Sequence, residues 1–487
     1  MRLGSHLLAF IICSLTALGF LLVFEPMRHW FIIPVTVCGI LIGADAIDWF
    51  RHLDPFDPVG ILGLLGIHFF FLAPLLHVRN DQWMYEITPP PDWRPWLGTM
   101  ACFNALGLLA YLLARESLPR GERQSASVAP HGESWHLNKS WFYLVLGLGL
   151  LVSAAAQLWI YASFGGILNY IETSLDYSQR HSFLGMGWIF MIAECFPILA
   201  MMTFAVFARG RKSATSATML VLALLTFIVV QMLFGGLRGS RSNIVWGLFW
   251  AVGIIHFWLR PISRSTLVIG GLFLVLFMYL YGLYKGAGLD ALETFDDTEA
   301  QSELAQSTHR TFESTLLGDL GRSDVQAFLL YRMLRPDSDF DYGWGRTYLG
   351  TATLLIPRFL WPNRPPDKRL EGTEALFGRG SHQPFDEETS RVFGVAGEAM
   401  LNFGPAGVPF AFAGFGFLVG GIRRFIRSLG PDDPRRLAVP MLIILAFSAL
   451  VNDSDILLFF LFKEGLPPVL AIWVCSLPRR AMFRKEA

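Results

Sequence analysis

Residues 1–24 read MRLGSHLLAFIICSLTALGFLLVF, and the length of their apolar run decides the fold. A secretory signal carries an apolar centre of about 7–15 residues. This run holds about 20, the length that a helix needs to cross a bilayer. It reads as a first membrane helix. Runs of the same kind recur at 30–47, 58–77, 95–114, 141–164, 183–207, 214–235, 243–259, 265–284, 406–422, 437–451 and 456–477. A barrel would show short alternating strands instead, and only helices satisfy so much backbone inside lipid. The expected fold is all-α: a polytopic integral membrane protein with about 12 transmembrane helices and one large extracytoplasmic loop. Three regions follow: a first membrane helix set over 1–285, the loop over 286–405, and C-terminal membrane helices with a tail over 406–487. The Asn452-Asp453-Ser454-Asp455 stretch reads either as a tight turn between the last two runs or as part of a bent helix.

Composition agrees. Of 487 residues, 53% are hydrophobic and 16% charged, with mean hydropathy +0.46. Soluble proteins average about 25% charged, so an ordinary cytosolic enzyme and a disordered chain are both excluded. The 39 basic and 39 acidic residues cancel, which argues against a nucleic-acid partner. Five cysteines, Cys13, Cys38, Cys102, Cys195 and Cys475, lie in or beside apolar runs without metal or disulfide spacing, and read as small packing residues. No phosphate-loop, dinucleotide or zinc-protease motif is present.

The placement of the charges carries more. Arg115, Arg120, Arg123 and Lys139; Arg209, Arg211 and Lys212; Arg260 and Arg264; Arg423, Arg424, Arg427, Arg435 and Arg436; and Arg479, Arg480, Arg484 and Lys485 all fall on one side when twelve helices are threaded. That side is the cytoplasm, and both termini lie there. The 286–405 loop then faces outward with 19 acidic and 11 basic residues, a balance of −8. A loop this long is usually functional. Thr311 is positioned to cap a short helix, Asp324–Met333 reads as an amphipathic helical stretch, and the apolar run Tyr348–Trp361 suits a re-entrant or interfacial helix.

Two arginines break the charge rule. Arg238 and Arg241, in Gly235-Gly236-Leu237-Arg238-Gly239-Ser240-Arg241-Ser242, fall between the seventh and eighth runs, on the outer face. Two guanidinium groups sharing a helix face, beside free N–H groups at the helix start, suit a diphosphate; the plainer reading is that they reach toward lipid headgroups. Within the loop, ten of the eleven basic residues are arginine and only Lys368 is lysine. The guanidinium fork matches phosphate oxygens better than ammonium does. Arg322, Arg358 and Arg364 are the best placed, although any one of them can equally pair with the loop's acids.

His382, in a polar loop, and Glu398, just before the tenth run, are the candidate general bases. Imidazole titrates near neutrality, and partial burial raises a carboxylate toward useful values. Each also has an ordinary capping or solvated reading. Asp386, Glu387 and Glu388 read as a solvated face. Glu194 stands at membrane depth beside Pro197, where an ionisable group is either functional or bonded to a neighbouring helix. His68 and His256 read as interhelical hydrogen-bonding groups. Asp337, Asp339 and Asp341 have a metal-like spacing but read as a solvated acidic turn, so no metal and no cofactor is expected.

The many spans with one large late loop, the Gly236–Ser242 turn before a helix, the Ile356-Pro357-Arg358-Phe359-Leu360-Trp361-Pro362 segment, and Gly397-Glu398 with Asn402-Phe403-Gly404 together resemble the bacterial O-antigen and oligosaccharide repeat-unit polymerases (Wzy type). The resemblance implies a GT-C-like glycosyltransferase architecture in the bacterial inner membrane. It implies a donor glycan on polyprenyl diphosphate and a sugar hydroxyl of a second lipid-linked unit as acceptor. Arg238, Arg241, Arg322, Arg358 and Arg364 would serve the diphosphates, and Glu398 or His382 would serve as base. Partners would be polyprenyl-diphosphate-linked oligosaccharides, membrane lipid, and chain-length regulator and flippase proteins. An O-antigen ligase shares these features. A lipid-glycan transporter or flippase, and an assembly scaffold, remain as readings of another class.

Overall fold

The computed structural model describes residues 2–51, 54–84, 87–118, 135–176, 179, 182–183, 185–239, 241–287, 303, 311–338, 340–356, 360–366, 368–383 and 391–478. The protein is helical and multi-pass. Among the described residues, ten helices are long and apolar enough to cross a membrane: Gly4–Val23, Ile32–Arg51, Pro58–Asn80, Arg94–Ser117, Lys139–Ser163, Gly187–Ala208, Arg241–Leu259, Arg264–Gly282, Gly407–Ser428 and Ser454–Cys475. The two remaining apolar runs form shorter helices, Ala217–Leu233 and Val439–Val451. At 1.5 Å per residue, 17 and 13 residues rise about 25 Å and about 20 Å, short of a hydrocarbon core of about 30 Å. The expected count of about twelve full spans therefore becomes ten, with two shorter helices in sequence. The only strands among the described residues are Trp135–Leu137 and Ser476–Pro478, paired antiparallel.

Large apolar side chains point outward along several spans. Leu15 and Leu22 in the first, Leu151 and Leu158 in the fifth, and Leu272 and Phe273 in the eighth are all more than half exposed. Such surfaces are costly in water and suit contact with lipid. The polar side chains of these helices are spent inward instead. Arg115, placed by sequence in a cytoplasmic loop, sits in the last turn of its helix, where its guanidinium grips Asp45 at 2.5 and 3.1 Å. Arg423, likewise counted as a loop charge, is within the Gly407–Ser428 helix and pairs with Asp57 at 2.8 Å.

The chain forms two compact units. One comprises Met1–Arg120, Phe312–Arg424 and Leu445–Leu458; the other comprises Gly121–Thr311, Phe425–Ile444 and Phe459–Ala487. In the first, part of the long inter-span segment packs directly onto membrane helices. The Ser323–Leu334 helix buries Ala327, Leu329 and Leu330 completely, and Ala327 lies in one apolar cluster with Phe31, Leu75 and Leu97. It is buried on nearly all sides, so its sequence pattern is less amphipathic in effect than expected. Thr311 immediately precedes a short helical stretch that ends in the π turn Ser314–Asp319. The Tyr348–Trp361 run is not one interfacial helix. Helix covers only Arg346–Ala352, then gives way to turns, and Trp361 is exposed. Thr353 ends it by turning its hydroxyl back on Leu349 and Gly350 carbonyls.

Helix breaks fall where charges are buried. The Gly187–Ala208 span is interrupted at Glu194 and Cys195, and Pro197 opens its second half. The Ser454–Cys475 span widens into a π turn over Leu461–Gly465, which carries Lys463 and Glu464. Such π turns are enriched at functional positions because they expose backbone and re-aim side chains.

Candidate functional site

In the second unit, polar chemistry gathers on Glu194. The break in its helix turns the carboxylate inward, where it is 2% exposed. One oxygen pairs with Arg238 at 2.7 Å. The other pairs with Lys463 and accepts from the Asn243 amide at 2.8 Å. The Asn243 carbonyl oxygen in turn accepts from Lys463 at 2.6 Å. Glu464 stands 3.6 Å from the same ammonium. Arg238 also rests over the Phe190 ring, 4.5 Å from its centre. A charge at this depth persists only when paired in this way.

The turn that carries Arg238 is built for closeness. Gly235 adopts φ +140°, and a Cβ there would come within 2.9 Å of Glu194. Tyr281 and Tyr284 donate their hydroxyls to the carbonyls of Gly236 and Leu237. Arg238 ends a single 3₁₀ turn, Gly236–Arg238. Gly239, at φ +80°, separates it from the helix that begins at Arg241. The two arginines are therefore not successive positions on one helix face, as the spacing suggested. Arg238 keeps about a quarter of its side chain exposed beyond the Glu194 pair.

The first unit contains Glu398, in the Gly394–Phe403 helix. It is 3% exposed. Its carboxylate accepts from the Thr347 hydroxyl at 2.8 Å, the Ser454 hydroxyl at 2.5 Å and the Ser454 N–H at 2.6 Å. Burial, and then the neighbouring Asp453 charge, push its pKa up to about 7, against the lowering effect of the Ser454 and Thr347 bonds. One turn on, Asn402 is fully buried. Its amide donates to Thr347 and to the Glu398 carbonyl, while its oxygen accepts from Gly345 N–H at 2.9 Å. Asp453 accepts from Phe393 and Gly394 N–H at the start of the same helix and pairs with Lys368. Lys368 also donates to the Arg391 carbonyl and faces the Phe393 ring. The Asn452–Asp455 stretch is thus a junction whose carboxylate and hydroxyl fasten the loop helices.

The other expected site residues are distributed. Arg322 is 9% exposed, and its guanidinium donates to the Gly318 and Gly321 carbonyls. Arg364 donates to the carbonyls of Thr353, Leu354 and Ile356, closing the turns after the short helix. Both are engaged with backbone. His382 is half-buried, with its Nδ1 lacking a hydrogen-bond partner among the described residues. Arg358 lies outside the described residues, as do Asp386, Glu387, Glu388 and Asp339. His68 bonds the Leu316 carbonyl in the π turn Ser314–Asp319, whereas His256 accepts from the Ile262 N–H in the connection just after its own helix, a local bond where an interhelical one was expected. Asp341 pairs with Arg346 and Arg379, and no cluster of His, Cys, Asp and Glu suited to a metal occurs among the described residues.

No protein-family model, curated protein or solved structure matches the chain.

Sequence reading overlooked Asn243 and Lys463, which complete the Glu194 network, and Thr347, Lys368 and Asp453, which complete that of Glu398. A usable signal existed for Lys463 and Glu464: two ionisable residues inside an otherwise apolar run.

Proposed function

We propose that this chain is a polyprenyl-diphosphate-dependent glycosyltransferase that polymerises lipid-linked oligosaccharide repeat units at the outer face of the bacterial inner membrane, with both termini in the cytoplasm. A sugar hydroxyl of one lipid-linked unit attacks the anomeric carbon of the glycan on another, and the polyprenyl diphosphate leaves. The reaction needs cations for the charge that develops on the leaving diphosphate and a group that accepts the hydroxyl proton. It needs no nucleotide and no metal in this reading, because the donor carries its own leaving group.

The observation that carries the reading is Arg238. It is a cation held by a buried carboxylate at a glycine turn among apolar helices, with part of its guanidinium still exposed. Lys463 shares the same carboxylate and also stands 3.6 Å from Glu464, so Glu194 is not reserved for Arg238 alone. This is the arrangement expected for an anionic lipid headgroup. Arg241 follows at the start of the next helix, where N–H groups favour anions. His382, whose Nδ1 has no hydrogen-bond partner among the described residues, is the base in this proposal. Glu398, whose oxygens already accept three donors, holds Thr347 and Ser454 in place. Arg322 and Arg364 brace the loop backbone.

The broken span at Glu194 also favours a second reading, a lipid-glycan flippase, since transporters place buried charges at helix breaks. The glycan profile of a deletion strain separates the readings. Single-repeat caps support the polymerase. Bare core identifies an O-antigen ligase, and unflipped repeat units accumulating inside identify a flippase; either result overturns the proposal.

A further inference from the structure

The first unit carries a second polar feature, apart from the Glu398 network. A cleft of about 90 Å³ is lined by Arg332, Phe340, Asp341, Arg346, Glu374 and Arg379, among others. Its charges are only partly satisfied by one another. Arg346 is saturated: it grips Glu371 through two bonds, at 2.8 and 3.2 Å, and reaches Asp341 at 3.3 Å. Arg379 reaches Asp341 at 3.5 Å. Arg332 is different. Its guanidinium has no hydrogen bond or ion pair among the described residues, and its Nε is buried without a partner. Among the described residues, Glu374 accepts only the Gly380 N–H, through one oxygen. A donor and an acceptor thus line one cleft without meeting.

An aromatic ladder leaves the edge of this cleft. Phe340 meets Tyr342 with ring centres 5.5 Å apart, and Tyr342 meets Trp344 edge-on at 6.2 Å. Trp344 is 73% exposed and adopts φ +44°, a conformation unusual for a bulky residue. It is held there from both sides. Gly343 and Trp344 donate their N–H groups to the Leu401 and Asn402 carbonyls at 2.8 and 2.9 Å, and Gly345 donates to the Asn402 side chain. The packing thus holds an exposed indole in place at a backbone conformation that costs energy.

We propose that this cleft and ladder bind a pyranose ring of the glycan. One sugar hydroxyl accepts from Arg332 and an adjacent hydroxyl donates to Glu374, so the pair bridges the two groups that the protein leaves apart. The apolar C–H face of a neighbouring ring stacks on Trp344. The three arginines of this cleft are matched by Asp341, Glu371 and Glu374, so it offers a diphosphate no surplus of positive charge. A polyhydroxyl ligand uses carboxylates and guanidinium groups together, with a few directed polar groups and an aromatic face supplying recognition. The assignment rests on the glycosyltransferase reading for the identity of the glycan, and gives that reading a place for the acceptor sugars.

The test uses full-length protein in nanodiscs and, as probe, the repeat-unit oligosaccharide released by mild acid from the host's own surface glycan. Saturation-transfer NMR reports binding without any turnover. Arg332→Ala and Glu374→Gln are expected to weaken binding about tenfold or more, the scale of one lost charge-assisted hydrogen bond. Trp344→Ala is expected to weaken it similarly, and Trp344→Phe to restore much of it. Leu349→Ala, on an exposed position of the short helix, is the control. Unchanged binding in Arg332→Ala and Trp344→Ala overturns the cleft assignment. So does a Trp344→Ala protein that keeps sugar binding but loses partition to lipid vesicles of phosphatidylethanolamine and phosphatidylglycerol, which makes the indole a membrane anchor. The two proposals fail separately. Sugar binding lost in the variants, with full-length glycan in the deletion strain, removes the polymerase and keeps the cleft. Single-repeat glycan on deletion, with normal binding and normal chain length in the variants, does the reverse.

Discussion

Arg238 Nη2 lies 2.7 Å from Glu194 Oε1, while Lys463 and Asn243 hold the other oxygen of the same carboxylate. One acid at a helix break thereby organises a turn, a helix start and a π turn that are distant in sequence. Two cations depend on it, so its loss leaves charge buried in an apolar setting.

Glu194→Ala is expected to destabilise the protein by about 3–5 kcal/mol, the cost of breaking a buried pair from one side. The double variant Glu194→Gln with Lys463→Met removes the orphaned ammonium as well and is expected to recover more than half of that loss. Thermal unfolding in detergent, followed by tryptophan fluorescence, reads both. A double variant no more stable than the single one would show that Lys463 is held by other means.

Arg238→Ala and Arg241→Ala are expected to leave the protein in the membrane but to shorten surface glycan to one repeat. Gel analysis of surface glycan, alongside blotting of membrane fractions, checks this. Arg238→Lys keeps the charge and loses the planar fork, so an intermediate chain length is expected. Normal long-chain glycan in both alanine variants would remove the diphosphate role.

Gly235→Ala is expected to act on the same network without touching a charge. The added methyl meets Glu194 at 2.9 Å, on a backbone at φ +140° that alanine rarely adopts. A loss of about 1–3 kcal/mol is expected from the strained backbone, with a matching drop in chain length. The same two measurements read it.

Glu398 makes stability depend on pH. Its pKa rises from 4.5 to about 7 on folding, so the native state binds the proton more tightly than the unfolded chain. Its stabilising effect is complete below about pH 4.5 and is lost as pH rises toward 7, a change of about 3 kcal/mol at most. Melting temperature measured from pH 4.5 to 8 is expected to fall across that window. In Glu398→Gln the fall should flatten, on a baseline lowered by about 1–3 kcal/mol because the amide cannot accept from the Ser454 N–H through its nitrogen. A slope identical in the variant and the parent would assign the titration elsewhere.

Asp453→Ala removes the acceptor for two N–H groups at the start of the Gly394–Phe403 helix and orphans Lys368. A loss of about 3–5 kcal/mol is expected. Lys368→Met leaves Asp453 its two backbone donors and is expected to cost less. Urea unfolding of the purified protein orders the two, and equal costs would show that the ion pair, not the helix start, carries the stability.

The apolar runs by themselves determined the number and order of the helices, because a bilayer demands about 20 apolar residues in succession and that demand is local. They overcounted full spans only where 13 and 17 residues form helix, at Val439–Val451 and Ala217–Leu233. Arg238, Glu194 and Glu398 were legible as exceptions: charged groups where their neighbours are apolar or their sign is unusual. Their partners were not. Lys463 lies 269 positions from Glu194, and Ser454 lies 56 from Glu398, and no spacing rule links residues so far apart. Nor did sequence show that Arg322 and Arg364 would turn onto backbone carbonyls, that Arg115 and Arg423 would be drawn from loops into buried pairs, or that Trp344 would be displayed at positive φ. Those outcomes follow from tertiary packing. A buried charge takes whichever opposite charge the folded helices bring within about 3–4 Å, and a backbone carbonyl left over at a turn takes the nearest guanidinium.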